Sequence, residues 1–165
     1  MKIEFDITLT DKDMYRFSMH HAYTGSQGII SIVLAVLSFI VTIKTYGFVE
    51  SVYTVLYAAV GVVFLFYMPL NLYLRSKRQF LMSIELQNAL HYLIDDQGIH
   101  TSQNDASADL PWEQIYKIIS TKEYVYIYSN RINAYILPRV QIAEYYGQLQ
   151  ELAGSHLPTY RVKMK

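Results

Sequence analysis

Two uncharged stretches decide the fold: residues 28–43, GIISIVLAVLSFIVTI, and residues 52–74, VYTVLYAAVGVVFLFYMPLNLYL. A helix needs roughly 20 apolar residues to cross the hydrocarbon layer of a bilayer. Neither stretch shows the polar stripe that is typical of a helix on the surface of a soluble domain. We therefore predict transmembrane helices over residues 28–45 and 52–74, joined by a short extracytoplasmic loop over residues 46–51.

A cluster of positive charge follows the second stretch directly. Arg75, Lys77 and Arg78 lie within four residues, and short segments rich in Lys and Arg stay on the cytoplasmic side of a membrane. The basic residues before the first helix agree with this orientation: Lys2, Lys12 and Arg16. Both termini are therefore expected in the cytoplasm, and the cluster is a candidate for contact with anionic lipid headgroups.

Small residues predict how the two helices pack against each other. A short loop makes the helices antiparallel neighbours, and small side chains allow their backbones to approach closely. The candidates for this contact are Ser31, Ala35, Ser38, Ala59 and Gly61. Neither helix carries an ionisable residue at mid-depth, where such residues usually mark an ion or proton pathway. We therefore expect neither a pore nor a pump from this chain alone.

The rest of the chain predicts an α+β fold in which the helical hairpin interrupts a sheet. Residues 1–10 alternate between apolar and polar, as a half-buried strand does. Residues 11–27 predict an entry helix, and residues 75–88 predict a helical extension of the second span. Residues 89–165 predict about six short strands and then a helix, QIAEYYGQLQELAG, that stops at Gly154. We expect the first strand to join an antiparallel sandwich or partial barrel, closed at one end by that helix.

The string LPWEQIYKIISTKEYVYIYSNRINAYILPRVQI, residues 110–142, contains a tryptophan–acid pair, an aromatic strand and an ILPR turn that leads into a helix. With the amino-terminal strand and the two apolar helices, this order resembles the YcxB-like proteins, a family of small bacterial membrane proteins. The resemblance implies a cytoplasmic domain similar to bacterial pleckstrin-homology domains over residues 89–165. It also implies the bacterial inner membrane as the location, and it brings no established activity.

Nothing in the sequence indicates a catalytic or metal site. The chain has no Cys, no phosphate-binding glycine loop, and neither an HExxH nor a GxSxG motif. Asp95 and Asp96, in the string DDQG, fit a turn better than a catalytic carboxylate pair. Three histidines are isolated in the sequence: His91, His100 and His156. We therefore predict that the protein is not an enzyme and holds no cofactor or metal ion.

Two further sets of residues are candidates for binding. Three tyrosines lie on one face of a strand and form an aromatic surface if that face of the sheet is uncovered. The candidate partner-binding residues are Tyr124, Tyr126, Tyr128, Arg131 and Arg139. The last six residues, YRVKMK, alternate as an edge strand does, which adds Arg161, Lys163 and Lys165 to the candidate lipid contacts. Trp112 is expected to fill the domain core.

Together these features favour an integral membrane protein that binds membrane lipids or an unidentified protein partner through its cytoplasmic domain. A second hypothesis is an immunity protein, in which the hairpin blocks a toxin or bacteriocin, and a third is a membrane-associated enzyme. The basic residues form no extended stripe, which argues against a nucleic acid partner. The oligomeric state, including a homo-oligomer, stays open.

Overall fold

The computed structural model describes residues 2–164, and the chain divides into two compact units. The first unit comprises Met1–Met14 and Phe80–Lys165, and the second comprises Tyr15–Gln79. The helices are α1 (Asp11–Thr24), α2 (Ser26–Thr45), α3 (Ser51–Met82), α4 (Ile84–Gln87) and α5 (Tyr146–His156), with a 3-10 turn at Trp112–Gln114. The strands are β1 (Ile3–Ile7), β2 (Leu90–Ile94), β3 (Gly98–Gln103), β4 (Ala106–Pro111), β5 (Lys117–Ser120), β6 (Tyr124–Tyr128), β7 (Ala134–Pro138) and β8 (Val162–Lys163).

The second unit contains α2 and most of α3, the two long apolar helices. α2 has 20 residues and α3 has 32, and both are long and apolar enough to cross a membrane. The loop between them includes Gly47 at φ +81°, a backbone conformation that glycine adopts without strain. α3 runs through Pro69 to Met82. The extension predicted over residues 75–88 is helical in two pieces, because Ser83 is extended and separates α3 from α4.

The entry helix is interrupted, whereas the sequence predicts a helix over residues 11–27. α1 stops before Gly25, which is extended at φ −95° and ψ 176°, and α2 begins directly after it. A Cβ atom at Gly28 would lie 2.8 Å from both the Ala22 carbonyl oxygen and a ring carbon of Tyr23. The chain can bend at this point because a glycine at the start of α2 leaves room for the end of α1.

Serine hydroxyl groups join α2 and α3 at two levels. Ser31 Oγ donates a hydrogen bond to the Phe64 carbonyl at 2.6 Å, and Ser38 Oγ donates one to the Tyr57 carbonyl at 2.7 Å. Between these levels Ala35 is only 1% exposed. Small residues therefore line the contact face of α2, where they allow the two backbones to approach.

On α3 the contact face includes Gly61 but not Ala59. A Cβ atom at Gly61 would lie 3.0 Å from the Phe39 ring, so the ring occupies the space above this glycine. Ala59 is exposed, which corrects its prediction as a packing residue. Two positions along a helix correspond to a rotation of about 200°, so Ala59 and Gly61 cannot share one face.

The first unit contains two four-stranded sheets, and within residues 2–164 neither closes into a barrel. Their strand orders are β1-β2-β3-β4 and β7-β6-β5-β8. Neighbouring strands are antiparallel except for β5 and β8, which are parallel. The amino-terminal strand therefore lies at one edge of the first sheet, where Phe5 is paired with Tyr92.

The two sheets and α5 share one hydrophobic core. β1 contributes Ile3, Phe5 and Ile7, the second sheet contributes Ile127 among others, and α5 contributes Leu149. Each of these side chains is at most 8% exposed. Burial of this kind stabilises a fold by about 25 cal/mol per Å² of apolar surface. The first strand is thus part of the domain core, although the helical hairpin separates it from the other strands in sequence.

α5 is shifted toward the carboxyl end relative to the predicted helix. Residues 139–145 form turns, in which the Gln141 N–H donates to the Pro138 carbonyl, and α5 starts only at Tyr146. The helix passes through Gly154, so the predicted stop at this residue is wrong. It ends at His156 because Pro158 disfavours helical backbone in the preceding residue.

Candidate functional site

The tyrosine surface predicted on β6 is not exposed. Tyr124 is 8% exposed, and Tyr126 and Tyr128 are each 1% exposed. The start of α1 lies against this side of the sheet, where the Tyr124 hydroxyl donates a hydrogen bond to Asp13 Oδ1 at 2.6 Å. Lys117 Nζ lies 4.6 Å from the centre of the Tyr128 ring. β6 is therefore buried on both faces, and the three tyrosines do not form a docking surface.

Asp13 is held in place from two sides. Its carboxylate accepts hydrogen bonds from the Thr10 N–H and the Thr10 hydroxyl, both at 2.7 Å, while the Thr10 hydroxyl accepts the Asp13 N–H at 3.3 Å. This reciprocal pair is a capping box at the start of α1. Because the same carboxylate accepts the Tyr124 hydroxyl, the cap also fastens α1 to β6.

The two arginines that were grouped with the tyrosines lie at opposite ends of β7. Arg131 is exposed in the turn before the strand. Arg139 follows the strand, donates from Nη1 to the Thr121 carbonyl at 3.1 Å and places its guanidinium 4.1 Å from the centre of the Tyr146 ring. The structure therefore does not bring Arg131 and Arg139 together, and Arg139 has a structural role in joining the second sheet to α5.

The basic residues near the carboxyl end lie at the edge of the second sheet. Val162 and Lys163 form β8 beside β5. Arg161 is half-buried and donates from Nη1 to the Ile115 carbonyl at 3.3 Å. Lys163 is exposed, and Lys165 lies outside the described residues. Of the described pair, Lys163 is thus the side chain with the greater freedom to contact a headgroup.

The basic cluster on α3 is exposed. Arg75, Lys77 and Arg78 point to solvent, whereas Ser76 between them is buried and hydrogen bonded to Ser18 at 3.0 Å. Within the described residues, neither Arg75 nor Arg78 forms an ion pair or hydrogen bond through its side chain. Both guanidinium groups therefore keep their N–H donors available for a carboxylate or phosphate group.

Trp112 holds the turn between β2 and β3 against the end of α5. It is 4% exposed, and its Nε1 donates a hydrogen bond to the Asp95 carbonyl at 2.8 Å. The His156 ring stacks on the indole with a centroid distance of 5.2 Å and an interplanar angle of 10°. Trp112 therefore fills the core and also fixes the position of the Asp95 turn.

Sequence reasoning missed a group of histidine–carboxylate pairs on the outer side of the first sheet. His91 on β2 lies with Nδ1 2.7 Å from Asp6 Oδ1 and with Nε2 3.1 Å from Glu4 Oε1. The hydrogen bond to Asp6 is the main cause that raises the pKa of His91 above its ordinary value of 6.5. Since both ring nitrogens face carboxylates, the protonated imidazolium, with two N–H donors, fits this position best.

His100 on β3 repeats this arrangement with other partners. Its Nδ1 is 2.7 Å from Asp109 Oδ1, and its Nε2 is 3.3 Å from Asp95 Oδ1. The hydrogen bond to Asp109 is the main cause that raises the pKa of His100. The pKa of Asp95 is lowered: burial opposes its ionisation, but the N–H groups of Gln97 and Gly98 and the His100 ring outweigh that effect.

We call these residues the histidine–carboxylate face: Glu4, Asp6, His91, Asp95, His100 and Asp109. The face links β1 to β2 and β3 to β4 by charge-assisted hydrogen bonds. Within residues 2–164, no group of three or more His, Asp and Glu residues has an arrangement that could hold a metal ion. The histidine nitrogens instead face carboxylate oxygens, so protonation of the two histidines changes the strength of these contacts.

A comparison with protein families finds a match for the region that begins at the end of β2. Residues 94–153 match a family described as YcxB-like protein. The chain carries a YcxB-like domain. This domain extends from the last residue of β2 to Ala153 in α5, so it includes Trp112, His100 and the buried tyrosines, while β1 and the helical hairpin lie outside the matched residues. No curated protein and no solved structure shows significant similarity to the chain.

Proposed function

We propose that this chain is a two-span protein of the bacterial inner membrane whose YcxB-like domain lies in the cytoplasm and binds a protein partner or anionic lipid at the bilayer, without catalysing a reaction. The observation that carries the proposal is the exposure of apolar side chains along both long helices. On α2, Ile29, Val36 and Ile43 are 54%, 50% and 74% exposed. A core helix of a soluble protein would bury such side chains, whereas lipid covers them in a membrane.

The basic cluster on α3 supports the proposed orientation. Arg75, Lys77 and Arg78 follow the apolar part of the helix and are exposed, which favours the cytoplasmic side for this end. The two termini of the hairpin lead into the same folded unit, because β1 and β2 are adjacent strands. This arrangement supports one cytoplasmic domain that receives both ends of the hairpin.

The domain itself supports a binding role of the pleckstrin-homology-like kind. Two four-stranded sheets and α5 share one core, as in a β-sandwich with a helix at one end. The histidine–carboxylate face lies on the outer side of the first sheet and is the candidate surface for a protein partner. Lys163 and the α3 cluster are the candidates for anionic lipid.

Cysteine labelling tests the membrane topology, because the natural chain has no Cys. Phe48, in the loop, is 90% exposed, and Ser107, on β4, is also exposed. In spheroplasts, a membrane-impermeant maleimide is expected to label Phe48→Cys before lysis and Ser107→Cys only after lysis. Labelling of both variants from the same side would contradict the two-span topology.

A second experiment separates lipid binding from protein binding. A fluorophore attached to Thr159→Cys, an exposed position shortly before β8, leaves Lys163 in place. In the full chain in nanodiscs, this label is expected to be quenched by lipid-borne quenchers in anionic bilayers more strongly than in zwitterionic ones. The same fluorophore on Ser107→Cys serves as the matched position on the first sheet. Equal quenching of the Thr159 label in both lipids would remove the lipid role of the domain and leave the protein partner.

A further inference from the structure

A groove of about 450 Å³ runs along α2 and α3 within the second unit, a volume within the range of roughly 300–1,000 Å³ that is usual for small-ligand sites. Its lining changes character along the helices. The end closer to the loop between α2 and α3 is apolar, with Leu34 and Phe64, and the far end is polar, with Gln27, Asn71 and Arg75. The pairing of Ser31 with Phe64 and of Ser38 with Tyr57 fixes this direction.

The polar end carries hydrogen-bond donors that the protein itself does not use. Among residues 2–164, no partner is present for the side chains of Gln27, Asn71 and Arg75. A guanidinium group offers five donors in a planar arrangement that matches a phosphate. A ligand that accepts hydrogen bonds from these donors must therefore be negatively charged and have several acceptor oxygens.

At the apolar end of the groove, the same ligand must present an apolar group. Leu34 is 39% exposed and Phe64 is 37% exposed, and the groove between them is open to the surroundings of the helices. An alkyl chain fits such a lining because each buried CH₂ group contributes about 0.8 kcal/mol. A molecule with phosphate oxygens at one end and an alkyl chain at the other is a phospholipid.

The position of the groove along α2 agrees with this ligand. At about 1.5 Å per residue, Gln27 lies roughly one hydrocarbon thickness from Thr45 at the other end of the helix. The polar end of the groove is thus at the level where lipid phosphates lie when α2 spans a bilayer. Lys77 and Arg78 follow Arg75 on α3 but do not line the groove.

We propose that this groove is a binding site for one anionic phospholipid, with an acyl chain between Leu34 and Phe64 and the phosphate hydrogen bonded to Arg75, Gln27 and Asn71. The inference rests on the proposed function, because the site requires that α2 and α3 span a membrane. It goes beyond that function by assigning one lipid to one groove, where a basic cluster alone would attract anionic lipid without a defined stoichiometry.

Native mass spectrometry of the full chain in detergent tests the proposal. The delipidated protein is titrated with phosphatidylglycerol, with phosphatidylcholine of the same acyl chains, and with glycerol phosphate. One tightly bound phosphatidylglycerol per chain is expected, with weaker binding of phosphatidylcholine and none of glycerol phosphate. Glycerol phosphate binding as tight as that of the lipid would show an anion site without a role for the groove.

Two pairs of variants locate the bound lipid. Arg75→Gln is expected to lower the affinity for phosphatidylglycerol about fivefold. Arg78→Gln removes the same charge outside the groove and is expected to lower the affinity by a clearly smaller factor. Leu34→Trp fills the apolar end and is expected to abolish the tight site. Leu37→Trp, at a position that is 52% exposed and outside the groove, is the matched control.

Equal losses from Arg75→Gln and Arg78→Gln would overturn the proposal in favour of general attraction to positive charge. Unchanged binding in Leu34→Trp would also overturn it, since the acyl chain would then lie elsewhere. The glutamine variants keep the test decisive if a tryptophan variant does not fold. Alkaline carbonate extraction tests the membrane proposal independently of lipid binding. A chain that does not span the bilayer is released from membranes by this treatment.

Discussion

The side-chain amide of Gln141 forms two hydrogen bonds with the backbone of Thr8. Its Oε1 accepts the Thr8 N–H at 3.0 Å, and its Nε2 donates to the Thr8 carbonyl at 2.8 Å. The amide thus takes the place of a strand partner for the residue that follows β1. A residue of the YcxB-like domain thereby fastens the amino-terminal segment, which lies outside the matched residues.

Gln141→Ala is expected to lower the free energy of unfolding by about 1 kcal/mol, because the Thr8 groups exchange these bonds for water. Gln148→Ala is the matched control, since Gln148 is exposed on α5 and its side chain has no partner among the described residues. Urea unfolding of the full chain in detergent, followed by circular dichroism, measures both. Equal stability of the two variants would show that the bridge to Thr8 contributes nothing.

Gly61→Leu is expected to destabilise the helical hairpin by about 1–3 kcal/mol, because the new side chain would overlap the Phe39 ring. Ala59→Leu adds apolar volume two residues away at an exposed position and is expected to leave stability nearly unchanged. Thermal unfolding in nanodiscs compares the two. A larger loss of stability in Ala59→Leu than in Gly61→Leu would contradict the assignment of Gly61, rather than Ala59, to the contact face of α3.

The histidine–carboxylate face predicts a pH dependence with a defined sign. Because the pKa of His91 is raised in the folded protein, its ion pairs stabilise the fold fully below the unfolded value of about 6.5. This contribution is lost as the pH rises through the folded pKa. Asp6→Asn removes the main cause of the shift, so the variant and the natural protein should differ more in stability below pH 6.5 than at alkaline pH.

Histidine-selective NMR of the full chain in detergent measures this titration directly. The His91 resonance is expected to titrate at lower pH in Asp6→Asn than in the natural protein. Asp105→Asn, in the turn between β3 and β4 and away from His91 in the β2–β3 register, should leave it in place. A His91 pKa at or below its ordinary value in the natural protein would contradict the two-carboxylate geometry.

Trp112→Phe is expected to lower the free energy of unfolding by about 1–3 kcal/mol, because the part-buried Asp95 carbonyl loses its indole donor. Tyr116→Phe is the control, since Tyr116 is 42% exposed and its hydroxyl has no hydrogen-bond partner among the described residues. Circular dichroism follows both variants, because Trp112 is the single Trp of the chain and its fluorescence disappears with the substitution. A neutral Trp112→Phe would show that the Asp95 turn does not depend on this bond.

Periodicity predicted the elements well where one face of an element is buried. The alternation of Ile3, Phe5 and Ile7 with polar residues corresponds to a strand with buried and exposed positions in strict turn. Periodicity predicted an exposed tyrosine face on β6, and this was wrong. Tyr124, Tyr126 and Tyr128 are buried, as are the residues between them. Alternation cannot distinguish an exposed face from a second buried one, because the residue that covers Tyr124 comes from the distant α1.

The histidine–carboxylate face escaped sequence reasoning for a related reason. Asp6 and His91 occupy opposite positions only because β1 pairs with β2 in one register, and a shift of one residue would separate them. The sequence gives no register between segments that lie on either side of a long hairpin. Within one hairpin, the closeness of His100 and Asp109 could have been predicted from the short turn after β3.

The separation of β1 from β2 also has a consequence for the synthesis of the protein. β1 leaves the ribosome before both apolar helices, whereas its partner strand follows them. On the proposed topology, a hairpin inserted with a single crossing would leave the two strands on opposite sides of the membrane, and the core would lack Ile3, Phe5 and Ile7. On this topology the complete domain core therefore forms only after the nascent chain has made both crossings.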